Sequence, residues 1–208
     1  MPAIKCSLYK QFLEQGVIQI IDKEKFKEFL NAIEHKYIEH ARALMILLYY
    51  TGRRPSEILE LTHKDVKLYK NHIEIQFLTK KGGKGTVIMI PKDDITEELW
   101  TFFEKHVGHP DAYIFWMFRS NKVKVVNGKE YRDVSAKLYY WVKKWGSKVG
   151  LDVTQYFFRH NRLSDLAMKG ADPYDLMYFK GAKDIKSVMP YLHISADRAK
   201  KLARLLKK

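Results

Sequence analysis

The sequence predicts one α+β domain, mainly helical, with a small antiparallel sheet. Three observations predict it. Apolar residues recur at helical spacing over most of the chain, one stretch alternates with the period of a strand, and no low-complexity linker or internal repeat divides the 208 residues. A composition that is 46% hydrophobic and 13% aromatic supplies the core of one ordinary domain, or one domain with a small appendage, and rules out disorder as the main state.

The elements follow in order. Asp22 is placed to cap KEKFKEFLNAIEHKY, whose Phe26, Phe29, Leu30 and Ile33 recur at helical spacing. Ala41 to Tyr50 is apolar nearly all round and reads as a buried helix closed by Gly52. Pro55 suits a first helical position, so a short helix follows with Arg54 at its N-cap. HIEIQFL from His72 and TVIMI from Thr86 alternate as strands, and Lys80 to Gly85 between them make a basic, glycine-rich hairpin tip. Thr96 is expected to cap ITEELWTFFEKHV, with Glu97 and Glu98 in its first turn. A helix is expected from about Val134 to Val149, ending at Gly150. From Phe157 the chain reads as short helices broken at Gly170, Pro173, Gly181 and Pro190, then an amphipathic SADRAKKLARLLKK.

The 38 Lys and Arg exceed the 24 Asp and Glu by 14. An excess of this size attracts polyanions, because each cation placed on a phosphate releases counterions, and it points first to nucleic acid. The alternatives are lysines that merely hydrate the surface, or an acidic membrane face. The basic residues are spread along the chain, which fits a folded surface better than a disordered arm. Cys6 is the sole cysteine, which excludes a disulfide framework and a cysteine-rich zinc site. The start lacks a signal-peptide core, and the longest apolar stretch, Ala43 to Tyr50, is far short of the roughly 20 residues of a membrane span. A soluble protein of the cytoplasm, acting at the nucleoid or in a host cell, is therefore expected. His106-x-x-His109 is too sparse for zinc, and Gly82, Gly83 and Gly85 lack the spacing of a phosphate loop.

Four segments in order, TGRRPSEILELTHKDV, FLTKKGGKGTVIMIP, YFFRHNRLSDLAMKGAD and KGAKDIKSVMPYLH, together resemble the catalytic domain of the tyrosine recombinases, the phage integrase family. TGRRPSEILELTHKDV is similar to the family's T-G-x-R-x-S-E box and puts the first catalytic arginine on Arg54. FLTKKGGKGTVIMIP sits where the family carries a catalytic lysine. The Lys-x-Gly pattern favours Lys80, with Lys81 and Lys84 as the other choices. YFFRHNRLSDLAMKGAD is similar to the H-x-x-R-H box and puts the second arginine on Arg159. KGAKDIKSVMPYLH resembles the segment that ends in the nucleophile, here Tyr191. Tyr113-Ile114-Phe115 and Val149-Gly150-Leu151 look like the strand and the turn before the second box. The resemblance runs from about Lys23 to the end. It implies a site-specific recombinase or integrase that breaks and rejoins DNA through a 3′-phosphotyrosyl intermediate.

The chemistry suits these residue types. A phosphodiester in a five-coordinate transition state gathers negative charge on its non-bridging oxygens, and a guanidinium offers a fixed fork of donors to it. An Arg54 at a helix N-cap would add backbone N–H groups and a dipole to the same site. A tyrosine, with a phenol pKa of about 10, attacks phosphorus yet leaves again, so the ester conserves the bond that hydrolysis would discard. The departing 5′ oxygen takes its proton from the hairpin lysine. Nothing in this scheme calls for a metal or other cofactor. Without the surrounding boxes, Arg54 and Arg159 would read as ordinary salt-bridge residues, and Tyr191 as one more packing tyrosine among 13.

Two positions depart from the family. Tyr156 stands where a histidine is usual, and Ala182 where a histidine or tryptophan is usual. Tyr156 keeps a hydroxyl for the phosphate; Ala182 has no donor. His160, Lys180 and Lys183 are the neighbours that can compensate, and Lys81, Lys84, His160 and Lys183 are expected to bind DNA. Such losses are commoner among divergent integrases of archaea and their viruses. Residues 1–22 read as an extension or linker remnant before a catalytic domain at 23–208, without the family's N-terminal helical domain of about 100 residues. The expected partners are double-stranded DNA and further copies of the chain, two to four on DNA, coupled through the C-terminal helix; no membrane is expected. Two rivals are a DNA-binding protein that kept the fold and lost activity, and an enzyme that only nicks and relaxes DNA.

Overall fold

The computed structural model describes residues 20–77 and 85–192. Lys80, Lys81, Lys84 and the C-terminal SADRAKKLARLLKK lie outside the described residues.

Helix α1, Lys23–Asn31, starts where Asp22 accepts the Lys25 N–H at 2.8 Å, and it buries Phe26, Phe29 and Leu30. It stops short of the expected Tyr37. Arg42 takes the Leu30 carbonyl at 2.7 Å and the Trp145 indole takes the Glu34 carbonyl at 3.2 Å, so these acceptors serve tertiary partners rather than a longer helix. Helix α2, Ile38–Thr51, runs through the centre of the molecule and is buried at every position from Ala43 to Thr51. Phe26 stacks on Tyr49 at 3.9 Å between ring centres and meets Phe158 edge-on, which joins α1 and α2 to a helix far along the chain. Gly52 ends α2 with φ +56, and a Cβ there would lie 3.1 Å from the Cβ of Arg162. Only glycine meets both demands.

Helix α3, Pro55–Leu59, is five residues long, with Arg54 in extended conformation before it. The expected contribution of its N-terminus to the site is reduced by this geometry. Pro55 has no N–H, the Arg54 N–H is held by Glu57 at 2.8 Å and the Glu57 N–H bonds the Arg54 carbonyl, so this junction offers the arginine side chain and the backbone of Ser56, which lines the cleft.

A three-stranded antiparallel sheet follows: β1 Val66–Leu68, β2 His72–Phe77 and β3 Thr86–Pro91, in that order. Ile73 pairs with Ile90 and Ile75 with Ile88, so the alternation turns these and Phe77 to the core. Helix α4, Thr96–Lys105, is capped differently from the expectation. Thr96 is already helical, and the Asp93 carboxylate accepts the Ile95 and Thr96 amides at 3.0 and 2.9 Å. The expected strand at Tyr113 to Phe115 reduces to a single bridge between Tyr113 and Thr62, because the chain turns at once into a helical turn at Trp116–Phe118.

A second hairpin, β4 Val123–Val126 and β5 Lys129–Arg132, was not expected. Its turn is Asn127-Gly128 with φ of +51 and +73, the left-handed pair that a two-residue hairpin turn requires. Helix α5, Ala136–Lys148, buries Leu138, Val142 and Trp145. Helix α6, Phe157–Met168, packs on α2, and α7, Pro173–Lys180, and α8, Met189–Leu192, close a smaller cluster of Leu163, Ala167, Leu176, Val188 and Tyr191. Among the described residues no helix is long and apolar enough to cross a membrane, and no three His, Cys, Asp or Glu side chains gather to hold a metal.

Candidate active site

The α2–α3 junction, the end of β2 and the loop after α7 converge on one cleft of about 910 Å³, lined among others by Arg54, Glu57, Tyr113, Lys180, Ala182 and Lys183; Arg159 is not on its wall but bonds the carbonyl of Lys180, which is. Phe77, the last residue of β2, is on its wall.

Arg54 and Arg159 differ in how they are held. Arg54 is 47% exposed, and its Nη1 donates to Glu57 Oε1 at 3.1 Å. Arg159 is 5% exposed; Nη1 donates to the Gly52 carbonyl at 3.0 Å and Nη2 to the Lys180 carbonyl at 2.9 Å. Glu57 Oε2 lies 4.0 Å from Arg159 Nη1, so one carboxylate faces both guanidiniums. Burial, and then the charge of Arg54, lower the Arg159 pKa to about 10, which leaves it cationic at neutral pH.

Tyr191 is 4% exposed and not on the cleft wall, with its hydroxyl 2.8 Å from His160 Nδ1. Burial, followed by Arg159 and Lys180, lowers the His160 pKa to about 4. The imidazole is therefore neutral at neutral pH, and with its own proton on Nε2 its Nδ1 accepts a hydrogen bond from the phenol. His160 lies against Tyr191 and does not line the cleft. Lys183 is on the cleft wall and exposed. Tyr156 stands just before α6, 40% exposed and outside the cleft lining. Burial raises its phenol pKa, against the opposing charges of Arg54 and Arg159. Ala182 lines the cleft with a methyl group alone.

One group carries no sequence expectation: Glu57 braces Arg54, and its signal is the Ser-Glu pair that follows the first arginine. Lys180, named from the sequence as a neighbour that can compensate, carries its ammonium over the Tyr191 ring, 5.2 Å from the centre. Arg53, the neighbour that could be mistaken for Arg54, is 1% exposed and stacks its guanidinium on Phe77 at 4.8 Å, away from solvent.

A helical domain of this topology, with Arg54 and Lys180 on the wall of one cleft, Arg159 tied to the Lys180 carbonyl and Tyr191 under the Lys180 ammonium, has the fold of the tyrosine recombinase catalytic domains. The Phage integrase family model matches residues 19–198, and the chain belongs to that family. It is 25% identical to the tyrosine recombinase XerA of Thermococcus kodakarensis, over 90% of this chain and 64% of that protein. It is 26% identical to XerA of Pyrococcus furiosus, over 96% of this chain and 62% of that protein. The chain thus spans somewhat under two thirds of the length of these relatives. Among solved structures it is similar to the XerA recombinase, with a TM-score of 0.64 at 18% identity over 91% of this chain and 64% of that one. It is also similar to the XerH site-specific recombinase bound to difH substrate in a pre-cleavage complex, with a TM-score of 0.62 at 21% identity over 91% of this chain and 53% of that one.

Proposed function

We propose that this chain is the catalytic part of a site-specific DNA recombinase. Tyr191 attacks a phosphodiester: its oxygen forms a bond to phosphorus, the bond from phosphorus to the 5′ oxygen breaks, and a 3′-phosphotyrosyl ester and a free 5′-hydroxyl result. The phenol proton goes to His160 Nδ1, and the 5′ oxygen takes a proton from a hairpin lysine, Lys80 by its Lys-x-Gly setting. Arg54 and Arg159 stabilise the charge on the non-bridging oxygens. Strand exchange is the same step reversed with a different 5′-hydroxyl.

The observation that carries this reading is the buried hydrogen bond between Tyr191 and His160, beside an Arg159 fixed by two backbone carbonyls and an Arg54 braced by Glu57, in a chain of the phage integrase family. The cleft gives that chemistry space for a strand, and Arg54, Lys180 and Lys183 give it positive charge. Tyr156 contributes its hydroxyl at the edge of the phosphate site, and Lys81, Lys84 and Lys183 hold the flanking backbone. The substrate is double-stranded DNA, and two to four copies assemble on it, in the nucleoid or host cytoplasm where that DNA lies. Residues 23–208 are the catalytic domain and 1–22 a lead-in to it.

A nicked suicide duplex, selected from a random-sequence pool by covalent capture on the wild-type chain, tests this. A protein–DNA adduct that Tyr191→Phe abolishes is the expected result. No adduct from the pool would leave only DNA binding, and an adduct surviving Tyr191→Phe would refute this nucleophile. Holliday-junction or recombinant products in a two-site assay separate strand exchange from simple relaxation.

A further inference from the structure

Lys180, the last residue of α7, is tied into the site at both ends. Its backbone carbonyl accepts Arg159 Nη2 at 2.9 Å. Its ammonium donates to the Ser187 carbonyl, lies over the face of the Tyr191 ring, and has its side chain on the cleft wall with Arg54 and Ala182. The charges acting on it are Arg159 and Arg54, both cations, and among the described residues no carboxylate opposes them. Burial and these two arginines bring its pKa from 10.5 down to about 8.

An ammonium in that position is a cation without an anion. A phosphate entering the cleft would supply one, and the exchange of a neutral carbonyl for an anionic oxygen strengthens the hydrogen bond. The distances permit it. In a near-attack arrangement the phosphorus stands about 3–3.5 Å from the phenol oxygen, and the lysine stem already reaches over the ring that bears that oxygen. Ala182, two residues on, puts no side-chain donor of its own into the cleft.

We propose that Lys180 is a further catalytic residue, whose ammonium leaves the Ser187 carbonyl when DNA binds and donates to a non-bridging oxygen of the scissile phosphate. This rests on the recombinase reading above. Three cations then face a phosphate whose charge grows toward the transition state, in a site where two would otherwise do so.

The selected suicide duplex separates the two ideas. Lys180→Gln can still donate to the Ser187 carbonyl but carries no charge, so it spares the structural bond. Adduct formation is expected to slow by about 10²-fold, the effect of removing one preorganised donor, with an unchanged melting temperature. Lys180→Arg, which restores a cationic donor, should recover most of that loss. A methylphosphonate at the scissile position, with one non-bridging oxygen replaced by methyl, should shrink the gap between wild type and Lys180→Gln. A 5′-bridging phosphorothiolate, whose leaving group needs no proton, should leave the gap as it was. Wild-type rates in Lys180→Gln would overturn this assignment alone, as would full rescue by the phosphorothiolate, which would make Lys180 the proton donor instead. No adduct with the wild-type chain would overturn the recombinase reading and this inference together.

Discussion

The hydroxyl of Tyr191 lies 2.8 Å from Nδ1 of His160, although the two residues are 31 apart in the chain. Helix α8 brings the phenol and α6 brings the imidazole, and the α6 turn that presents His160 also presents Arg159. His160 and Arg159 are thus held as one unit with respect to Tyr191. A shift of α6 would move both.

Replacing that imidazole should separate binding from chemistry. His160→Ala is expected to retain DNA affinity and lose about 10²-fold in the rate of covalent adduct formation, the lower range for a positioned base. Gel shift and single-turnover cleavage on the same duplex check it. Cleavage at the wild-type rate would show that the phenol proton leaves by another path.

Stability should fall in acid for a reason set by two histidines. His160, lowered mainly by burial and then by Arg159 and Lys180, and His40, lowered mainly by burial and then by His106, both go from 6.5 to about 4. Between those values the unfolded chain binds protons that the folded chain refuses. Their contribution is therefore intact above pH 6.5 and withdrawn progressively as the pH falls toward 4. From pH 7 to pH 5 each is worth about 1–2 kcal/mol. Urea midpoints at the two pH values should converge in the double variant His40→Gln, His160→Gln, and an unchanged gap would assign the acid sensitivity elsewhere.

The three arginines near the cleft should respond differently. Arg54→Ala leaves no buried partner behind, so the melting temperature should hold while adduct formation drops about 10²–10³-fold. Arg159→Ala should lose activity and also about 1–3 kcal/mol, because the carbonyls of Gly52 and Lys180 lose their donor. Arg53 has Nε and Nη2 buried with no hydrogen-bond partner among the described residues. Arg53→Met, of similar reach and without those donors, should be neutral or stabilising and still cleave. Loss of cleavage in Arg53→Met with retention in Arg54→Met would reverse the choice between these neighbours.

Gly181 is constrained twice. Its φ is +64, and a Cβ would collide with Arg53 Nη1. Gly181→Ala should cost about 1–2 kcal/mol for the left-handed backbone alone. It should also slow cleavage, because the residue before it supplies the carbonyl that holds Arg159. A thermal melt and an adduct time course read the two effects, and an unaltered melt would remove the conformational argument.

Much of the fold was legible because its signals are local. The apolar run of α2, the alternation of β2 and β3, Pro55 at a first helical position and Gly52 at a helix end each need only neighbouring residues to be read. The β4–β5 hairpin was equally legible, since Asn127-Gly128 between VKVV and KEYR is a strong turn signal, and it was overlooked. The end of α1 was not legible, because Arg42 and Trp145, which take the carbonyls there, are contributed by other helices. Thr96 is not the cap for a similar reason: Asp93, three residues earlier, accepts the Ile95 and Thr96 amides, so Thr96 is already inside the helix, and Asp93 is itself held by Tyr50 at 2.6 Å.

The sequence by itself determined the helical class, the polyanion-seeking charge and the residue types of the site, because boxes of a few adjacent residues carry them. It even selected Arg54 over Arg53 by spacing. Only the tertiary structure decided which polar groups meet. That Arg159 is fastened by carbonyls of residues 52 and 180, that His160 faces Tyr191 rather than the cleft, and that Lys180 stands over the phenol ring are products of α2, α6 and the α7–α8 loop packing together. Hydrogen bonds and desolvation act over a few ångströms of space, and the residues they join here lie from 11 to 107 positions apart.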